Sequence, residues 1–394
     1  MTVDVQRHEA EVWFRRRGLP LVVHDSTRGR ALIARTVPAM VYLAVVALSE
    51  IFLRWIVALD SDEPTDDVHF EYIDLVIVLV FGTILYLGLP FLAVLITRRL
   101  LRGRSNTVQL VAGGIVVALA VSLLPAVAAA AALAPYWAGV VTAIVAVSAV
   151  LLLARLGVGA ILIWAIRKAA QQVNSIGTMA SRVLPLLLLV VMFAFFTAEL
   201  WQAANALSRS QLWVVVAFLA LLAVGFMATT FSDELPALRE ASRARADLQA
   251  RLRDTPLGGT ATTAGHTRLS RPERINVVMV LFLAQAVQVV AFALVVFVFF
   301  IVFGVLMITP GVQETYLGVP NPAEATLFSI PFPVSNALFQ VSLFLAAFSG
   351  LYFTASKTTE ERYRRAFFEP LIDEIALSLA ARDVYRERWP QEST

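Results

Sequence analysis

Uninterrupted apolar runs of about 20 residues constrain the fold of this chain more than any other feature of its sequence. A helix rises about 1.5 Å per residue and the hydrocarbon core of a bilayer is about 30 Å thick, so each run matches one crossing. Only helices and closed barrels satisfy their backbone hydrogen bonds in lipid. These runs lack the period-2 alternation of barrel strands, and 59% of the 394 residues are hydrophobic. The sequence therefore predicts an all-α, polytopic transmembrane helical bundle.

The uneven distribution of the basic residues predicts which loops face the inner side of the membrane. One orientation places all 32 Lys and Arg residues on the inner side except Arg54, Arg155 and Arg209. Such an excess is typical of cytoplasmic loops. The stretch from Asp60 to Asp74 holds seven acidic residues and no Lys or Arg, as an outer loop would. We therefore expect both termini in the cytoplasm and an even number of spans.

The predicted organisation consists of eight spans, three main inner segments and a Pro-rich outer loop, joined by shorter loops. We expect the spans at about residues 37–59, 75–96, 108–131, 137–155, 183–204, 213–231, 276–308 and 336–355. The inner segments are a basic N-terminal arm (1–36), a helix followed by a flexible linker (232–275) and an amphipathic tail (356–394). The Pro-rich loop joins the last two spans. No separate soluble domain is expected.

Three of these segments allow more than one interpretation. The fourth span ends at Arg155, or near 166 if it is strongly tilted, unless residues 156–166 lie along the inner surface. The seventh run is longer than one crossing requires, so it must tilt or protrude into water. In the tail, an apolar stripe recurs at i, i+3, i+4 and i+7. This stripe would dock on the 233–253 helix or on another protein, and the basic residues before it would contact anionic lipid.

Ionisable residues inside spans are the sharpest candidates for a functional site, because each costs several kcal/mol unless it is paired or hydrated. Glu50 and Arg54 stand four residues apart, which places them on one face of the first span. Glu199 falls in the outer half of the fifth span. The functional interpretation is a carboxylate site for protons or a cationic ligand. The structural alternative is an ion pair that fixes helix packing, with Glu199 hydrated near the interface.

Three further polar residues are weaker candidates. Arg155 can extend to the inner headgroups from the end of a short fourth span, or it can face a substrate. Gln285 and Gln288 lie three apart in the seventh span. Such amides usually form interhelical hydrogen bonds, worth about 0.6 kcal/mol on average, and a ligand-lining role is the alternative.

The sequence argues against several kinds of chemistry. Cysteine is absent, and His8, His24, His69 and His266 all lie outside the spans and far apart. The motifs HExxH, GxSxG and GxxxxGK[ST] do not occur. No catalytic residues, metal site or cofactor are therefore expected, and we expect the protein not to be an enzyme. Thirty of the 32 basic residues are Arg, which suggests a GC-rich bacterial genome.

Two function classes follow. In the first, an inner-membrane permease or channel moves a small solute, ion or lipid past the level of Glu50, Arg54 and Glu199. In the second, a non-catalytic membrane scaffold or regulator acts through its cytoplasmic amphipathic helices. The expected partners are the lipid bilayer, anionic headgroups at the basic segments, and either a second copy of the chain or another membrane protein. Nucleic acid is not expected, because the positive-inside bias accounts for the net charge of +3.

Overall fold

A computed structural model describes most of the chain and shows that it is predominantly helical. The described residues are 3–19, 32–60, 81–82, 84–101, 104–130, 135–171, 189–244, 252, 255–258, 270–320, 322–327, 330–357 and 369–389. Of these residues, 88% are helical. The prediction of a mainly α-helical membrane protein is confirmed at this level.

Five helices in the described part of the chain are long and apolar enough to cross a membrane. They comprise Ile84–Leu101, Tyr136–Arg155, Arg209–Ala228, Glu273–Met307 and Asn336–Ser356. A sixth is obtained if Leu189–Phe195 and Ala198–Ala206, which meet at an angle of 68°, form one span. Thr36–Phe52 and Val111–Ser122 are shorter apolar helices. The count of eight spans stays a prediction.

The first compact unit, here called the Glu50 unit, comprises Asp25–Leu156 and Pro322–Asn336. Its described helices are α2 (Leu32–Asp60), α3 (Leu89–Leu101, which follows a π-helical turn at Ile84–Gly88), α4 (Asn106–Ala130) and α5 (Tyr136–Arg155). Helix α2 packs against α3, α4 and α5, and α4 packs against α5. Many outward side chains of α3, α4 and α5 are large and apolar, as lipid-facing surfaces require.

A small β-hairpin completes the Glu50 unit and departs from the all-α prediction. Strand β1 (Glu324–Leu327) pairs antiparallel with β2 (Ile330–Ser335). Pro331 and Pro333 lie in β2, where a two-stranded ribbon tolerates them because each strand has a free edge. The predicted Pro-rich outer loop therefore contains regular structure.

The second compact unit, here called the terminal unit, comprises Met1–His24, Gly157–Asn321 and Ala337–Thr394. Its described helices are α1 (Val3–Arg16), α6 (Val158–Gln171), α7 (Leu189–Phe195), α8 (Ala198–Ala206), α9 (Arg209–Ala244), α10 (Arg271–Met307), α11 (Pro310–Leu317), α12 (Asn336–Lys357) and α13 (Glu369–Arg388). Helices α10 and α12 lie alongside each other. Phe292 stacks on Phe353 with ring centroids 4.4 Å apart, and Gly304 lies against Leu338.

The core of the terminal unit joins both ends of the chain to α10. Its buried apolar side chains come from α1 (Ala10, Phe14), α6 (Ile161, Trp164, Ala165), α10 (Val277, Val280, Leu281, Ala284) and α13 (Ile375, Ala381, Val384, Tyr385). At 37 residues, α10 is about 55 Å long, far more than the hydrocarbon thickness. Its first half lies in this core, so the excess length is used for packing.

Helix α5, which corresponds to the fourth predicted span, ends at Arg155. The backbone at Gly157 has a φ of +71°, a conformation that side-chain-bearing residues rarely adopt. This turn separates α5 from α6, and α6 packs against α10 and α1. Residues 136–166 therefore do not form one uninterrupted helix, and where the fourth span leaves the membrane stays a prediction.

Two other predicted segments differ from the structure. The fifth predicted span is interrupted at Phe196–Thr197, where α7 gives way to α8. The sixth span and the helix predicted at 233–253 begin as one element, because α9 runs without a break to Ala244. Within the predicted linker, Thr255–Gly258 forms a turn that buries Leu257 in the core of the terminal unit. The rest of the linker lies outside the described residues.

Candidate functional site

Glu50 lies half-buried on α2 and is held by a tyrosine from the turn that precedes α3. The hydroxyl of Tyr86 donates to Oε2 of Glu50 at 2.5 Å. Two other side chains of α2 reach the same turn: the hydroxyl of Tyr42 donates to the carbonyl of Tyr86 at 3.1 Å, and Oγ of Ser49 donates to the carbonyl of Leu85 at 3.3 Å. The candidate site is thus a carboxylate that accepts a hydrogen bond from the Tyr86 hydroxyl, between two apolar helices.

Pro90 explains why hydroxyl groups of α2 are needed there. Proline has no N–H, so Pro90 cannot serve as the helical donor for the carbonyl four residues earlier or for the one five residues earlier. Those carbonyls belong to Tyr86 and Leu85, the two that accept hydrogen bonds from α2. The π-helical turn lies at this point, and such turns are frequent at functional sites.

Arg54, the predicted partner of Glu50, lies one turn further along α2. Its side chain lies outside the part of the chain that the structure describes. Tyr86 is therefore the residue that the structure shows on the Glu50 carboxylate.

Glu199 belongs to the terminal unit, whereas Glu50 and Arg54 belong to the Glu50 unit. It occupies the first turn of α8, after the N-cap residue Thr197, and its side chain is exposed. A carboxylate in a first turn interacts favourably with the helix dipole. The role of Glu199 in a site with Glu50 stays a prediction.

The break between α7 and α8 is closed by side chains. Nε1 of the buried Trp201 donates to the carbonyl of Phe195 at 2.7 Å, and Oγ1 of Thr197 donates to the carbonyl of Ala194 at 2.7 Å. The Phe195 ring stacks on Phe300, with centroids 5.0 Å apart. The interrupted helix therefore has satisfied carbonyls and aromatic packing at its break.

The weaker candidates are divided between exposed and buried positions. Arg155 is the last residue of α5 and is exposed, which suits a side chain that extends to headgroups. Gln285 and Gln288 are buried on α10. Another buried amide, Gln340 on α12, donates from Nε2 to the carbonyl of Leu207 at 3.3 Å, next to the end of α8. Interhelical hydrogen bonding of this kind was the expected role of such amides.

A second polar cluster lies around Glu273 at the start of α10, and its central residues Glu273 and Arg382 are fully buried. Nε and Nη2 of Arg382 donate to the two carboxylate oxygens of Glu273 at 2.8 and 2.7 Å. Arg386 adds a contact to Oε1 at 2.9 Å. The backbone N–H and the hydroxyl of Ser270 donate to Oε2, which forms the capping box of α10.

Tyr385 extends this cluster to the N-terminal helix. Its hydroxyl donates to Oε1 of the buried Glu11 at 3.2 Å, and Nε of Arg7 donates to the same oxygen at 3.3 Å. Burial and the charge of Glu11 raise the pKa of Tyr385. Burial lowers the pKa of Arg382, but the hydrogen bonds and charge of Glu273 outweigh it, and the pKa lies above its ordinary value. The hydrogen bonds of these groups tie α1, α10 and α13 together.

The sequence pattern indicated Glu50 but not its partner Tyr86, the hydroxyl groups that bond the adjacent turn, or the whole Glu273 cluster. Tyr42, Ser49 and Tyr86 carry no charge, so a search for ionisable residues does not select them. The sequence signal for this turn is Pro90, which lies four residues after Tyr86. The positive-inside rule had accounted for Arg382 as one of many cytoplasmic arginines. Among the described residues, no three His, Asp or Glu side chains gather where they could bind a metal ion.

Comparison with protein-family models, with curated proteins and with solved structures gives no match. The function must therefore be argued from these residues and their geometry.

Proposed function

We propose that the protein is a multi-pass protein of the bacterial inner membrane that moves a proton or a small cationic solute past Glu50. The observation that carries this proposal is the Glu50 carboxylate, held by Tyr86 between two apolar helices. A carboxylate inside a membrane helix is costly, and the contact between α2 and α3 does not require one. Tyr42 and Ser49 connect α2 to the turn before α3 through backbone carbonyls and without the Glu50 carboxylate.

The cytoplasmic orientation is part of the same proposal. Rings of Phe14 on α1 and Tyr385 on α13 lie 5.6 Å apart, so the two terminal helices lie on the same side of any membrane. That supports an even number of crossings. The concentration of arginines in the terminal segments makes the cytoplasmic side the preferred one.

The alternative role as a scaffold receives less support from α13. Ile375 and Ala376 are buried and Leu379 packs against the same core, while Ile372 lies outside the side chains that the structure describes. The stripe is therefore occupied by the chain's own helices. A partner protein would have to displace α13 from this core before it could use the stripe.

Proteoliposomes loaded with a pH-sensitive dye test the proposal. The wild-type protein should speed internal acidification under an imposed pH gradient and potential, or should be stabilised against heat by alkali or organic cations. Glu50→Gln should abolish both effects, and Tyr86→Phe should weaken them. Ser49→Ala is the matched control, because it removes a hydroxyl of the same helix that bonds a carbonyl and not Glu50.

All variants must first show wild-type elution on size-exclusion chromatography. Two results would overturn the proposal. The first is a wild-type protein without flux or cation-dependent stabilisation. The second is an effect that Glu50→Gln leaves unchanged in a folded protein.

A further inference from the structure

Helix α6 carries an exposed apolar face that neither the transport proposal nor the core of the terminal unit explains. Leu162, Ile163 and Ile166 are 38%, 54% and 51% exposed. Ile161, Trp164 and Ala165 on the opposite side are buried against α10 and α1. The helix is therefore apolar on two opposite faces, and only one of them is covered by the protein.

Of the two basic residues near the end of α6, one lies on the buried face and the other on the exposed face. Lys168 leans toward the protein and pairs with Glu374 of α13 at 3.0 Å. Arg167, one residue earlier, is exposed and lies beside the apolar face, with no ion pair to any other side chain that the structure describes. An apolar strip with a cation at its edge fits the boundary between acyl chains and phosphates.

The short connection between α5 and α6 also indicates that α6 begins at the level of the headgroups. Helix α5 is a candidate span that ends at Arg155, and α6 begins after Leu156 and Gly157 alone. Two residues reach no further than about 7 Å. Helix α6 therefore starts where a candidate span ends, at the level of the headgroups, after a turn in which Gly157 has a φ of +71°.

We infer that α6 lies in the plane of the inner membrane surface, where Leu162, Ile163 and Ile166 enter the acyl-chain region and Arg167 binds the phosphate of an anionic phospholipid. A water-facing surface of this composition would be an aggregation hazard. A lipid site here would stabilise the terminal unit, because the opposite face of α6 packs on α10 and Lys168 reaches α13. The inference rests on the membrane placement of the protein and does not depend on transport.

Spin labels on single cysteines test the position of the face, since the natural chain contains no cysteine. In proteoliposomes, labels at Ile163→Cys and Ile166→Cys should be relaxed more strongly by oxygen than by a water-soluble nickel chelate. A label at Glu387→Cys, an exposed position of α13, should show the reverse. A label at Ile161→Cys should be reached poorly by both reagents.

Strong nickel accessibility at 163 and 166 would overturn the inference. So would protection from both reagents together with short label-to-label distances between copies, because that result would assign the face to a second copy of the chain.

The lipid contact of Arg167 has its own measurement. Phosphatidylglycerol added to detergent micelles should raise the melting temperature of the wild-type protein more than phosphatidylcholine or inorganic phosphate does. Arg167→Gln should lose this extra increase, whereas Arg388→Gln, which changes an exposed arginine of α13, should keep it. An unchanged increase in Arg167→Gln would refute the phosphate contact, as would an equal effect of inorganic phosphate. Neither readout involves flux, so failure here leaves the transport proposal standing.

Discussion

Glu273 shows how a single carboxylate can organise the beginning of a long helix. Both of its oxygens are occupied, by Ser270 on the same chain segment and by Arg382 and Arg386 of α13. The side chains of Glu273 and Arg382 are each only 1% exposed. A buried pair of this kind costs desolvation when it forms, but removal of one partner leaves an uncompensated charge in the interior.

We expect Arg382→Met to destabilise the protein by about 3–5 kcal/mol, because it leaves Glu273 buried without its bidentate partner. Arg386→Met should cost much less, about 1 kcal/mol, since Arg386 is 29% exposed and exposed pairs contribute little. Thermal unfolding of the purified protein in detergent would measure the order of these effects.

The double variant Glu273→Met with Arg382→Met separates the charge effect from lost packing. It should recover part of the stability that Arg382→Met loses, because the buried Glu273 charge is removed together with its bidentate partner. Equal losses in Arg382→Met and Arg386→Met would contradict the assignment of Arg382 as the main partner.

At the scale of elements, the contact of α4 with α5 depends on a glycine opposite a proline. A Cβ atom added to Gly139 would lie 2.9 Å from Cβ and 3.1 Å from Cα of Pro125. A proline backbone in a helix cannot yield as a flexible side chain can. The close approach of α4 and α5 therefore requires a residue without a side chain at position 139.

Gly139→Ala should therefore destabilise the Glu50 unit by about 1–3 kcal/mol, the usual cost of overpacking. Gly114→Ala on α4 is the matched control, because a Cβ there meets no atom within 4 Å. It should be neutral or stabilising by up to about 1 kcal/mol, since alanine favours helix more than glycine does. Melting temperatures of the two variants should fall on opposite sides of the wild-type value or differ clearly, and coincident values would disprove the close contact.

At the scale of the whole molecule, the two ends of the chain form one core with α6 and the start of α10. Phe14 and Tyr385 are fully buried, and Glu11 bonds Tyr385 across 374 positions of the sequence. The terminal segments are therefore structural parts of the terminal unit. A long, partly polar extension of a span such as α10 is stable in water because these helices cover it.

Deletion of residues 369–394 should destabilise the protein and expose α1 to protease, because Phe14, Glu11 and Glu273 would all lose contacts from α13. Limited trypsin digestion and size-exclusion chromatography would measure this, with deletion of 391–394 alone as the control. If the longer truncation left the protein monodisperse and α1 protected, α13 would be a detachable element. The scaffold hypothesis would then gain support.

The sequence could predict one residue of the candidate site, Glu50, but not the residues that contact it. Glu50 stands out in the sequence because an ionisable group in an apolar run is costly wherever it points. Its partner Tyr86 does not stand out, because an uncharged tyrosine in a span costs little free energy and is common. The predicted pairing of Glu50 with Arg54 was based on helical spacing. That spacing shows that two residues share a face of one helix, but it does not predict a contact with a residue 36 positions away, such as Tyr86.

The sequence by itself determined the mainly α-helical class and the approximate positions of many helices, and it predicts the preferred orientation. These follow from local quantities: the length of apolar runs against bilayer thickness, and the sum of charges in each loop. Only the tertiary structure decided that α5 ends at Arg155, before the turn at Gly157, that α7 and α8 are separate, and that Glu273 pairs with Arg382. Those outcomes depend on backbone geometry and on contacts between segments distant in sequence, which no local pattern encodes. The sidedness rule treats every cytoplasmic arginine alike, and burial distinguishes the one at 382 from the rest.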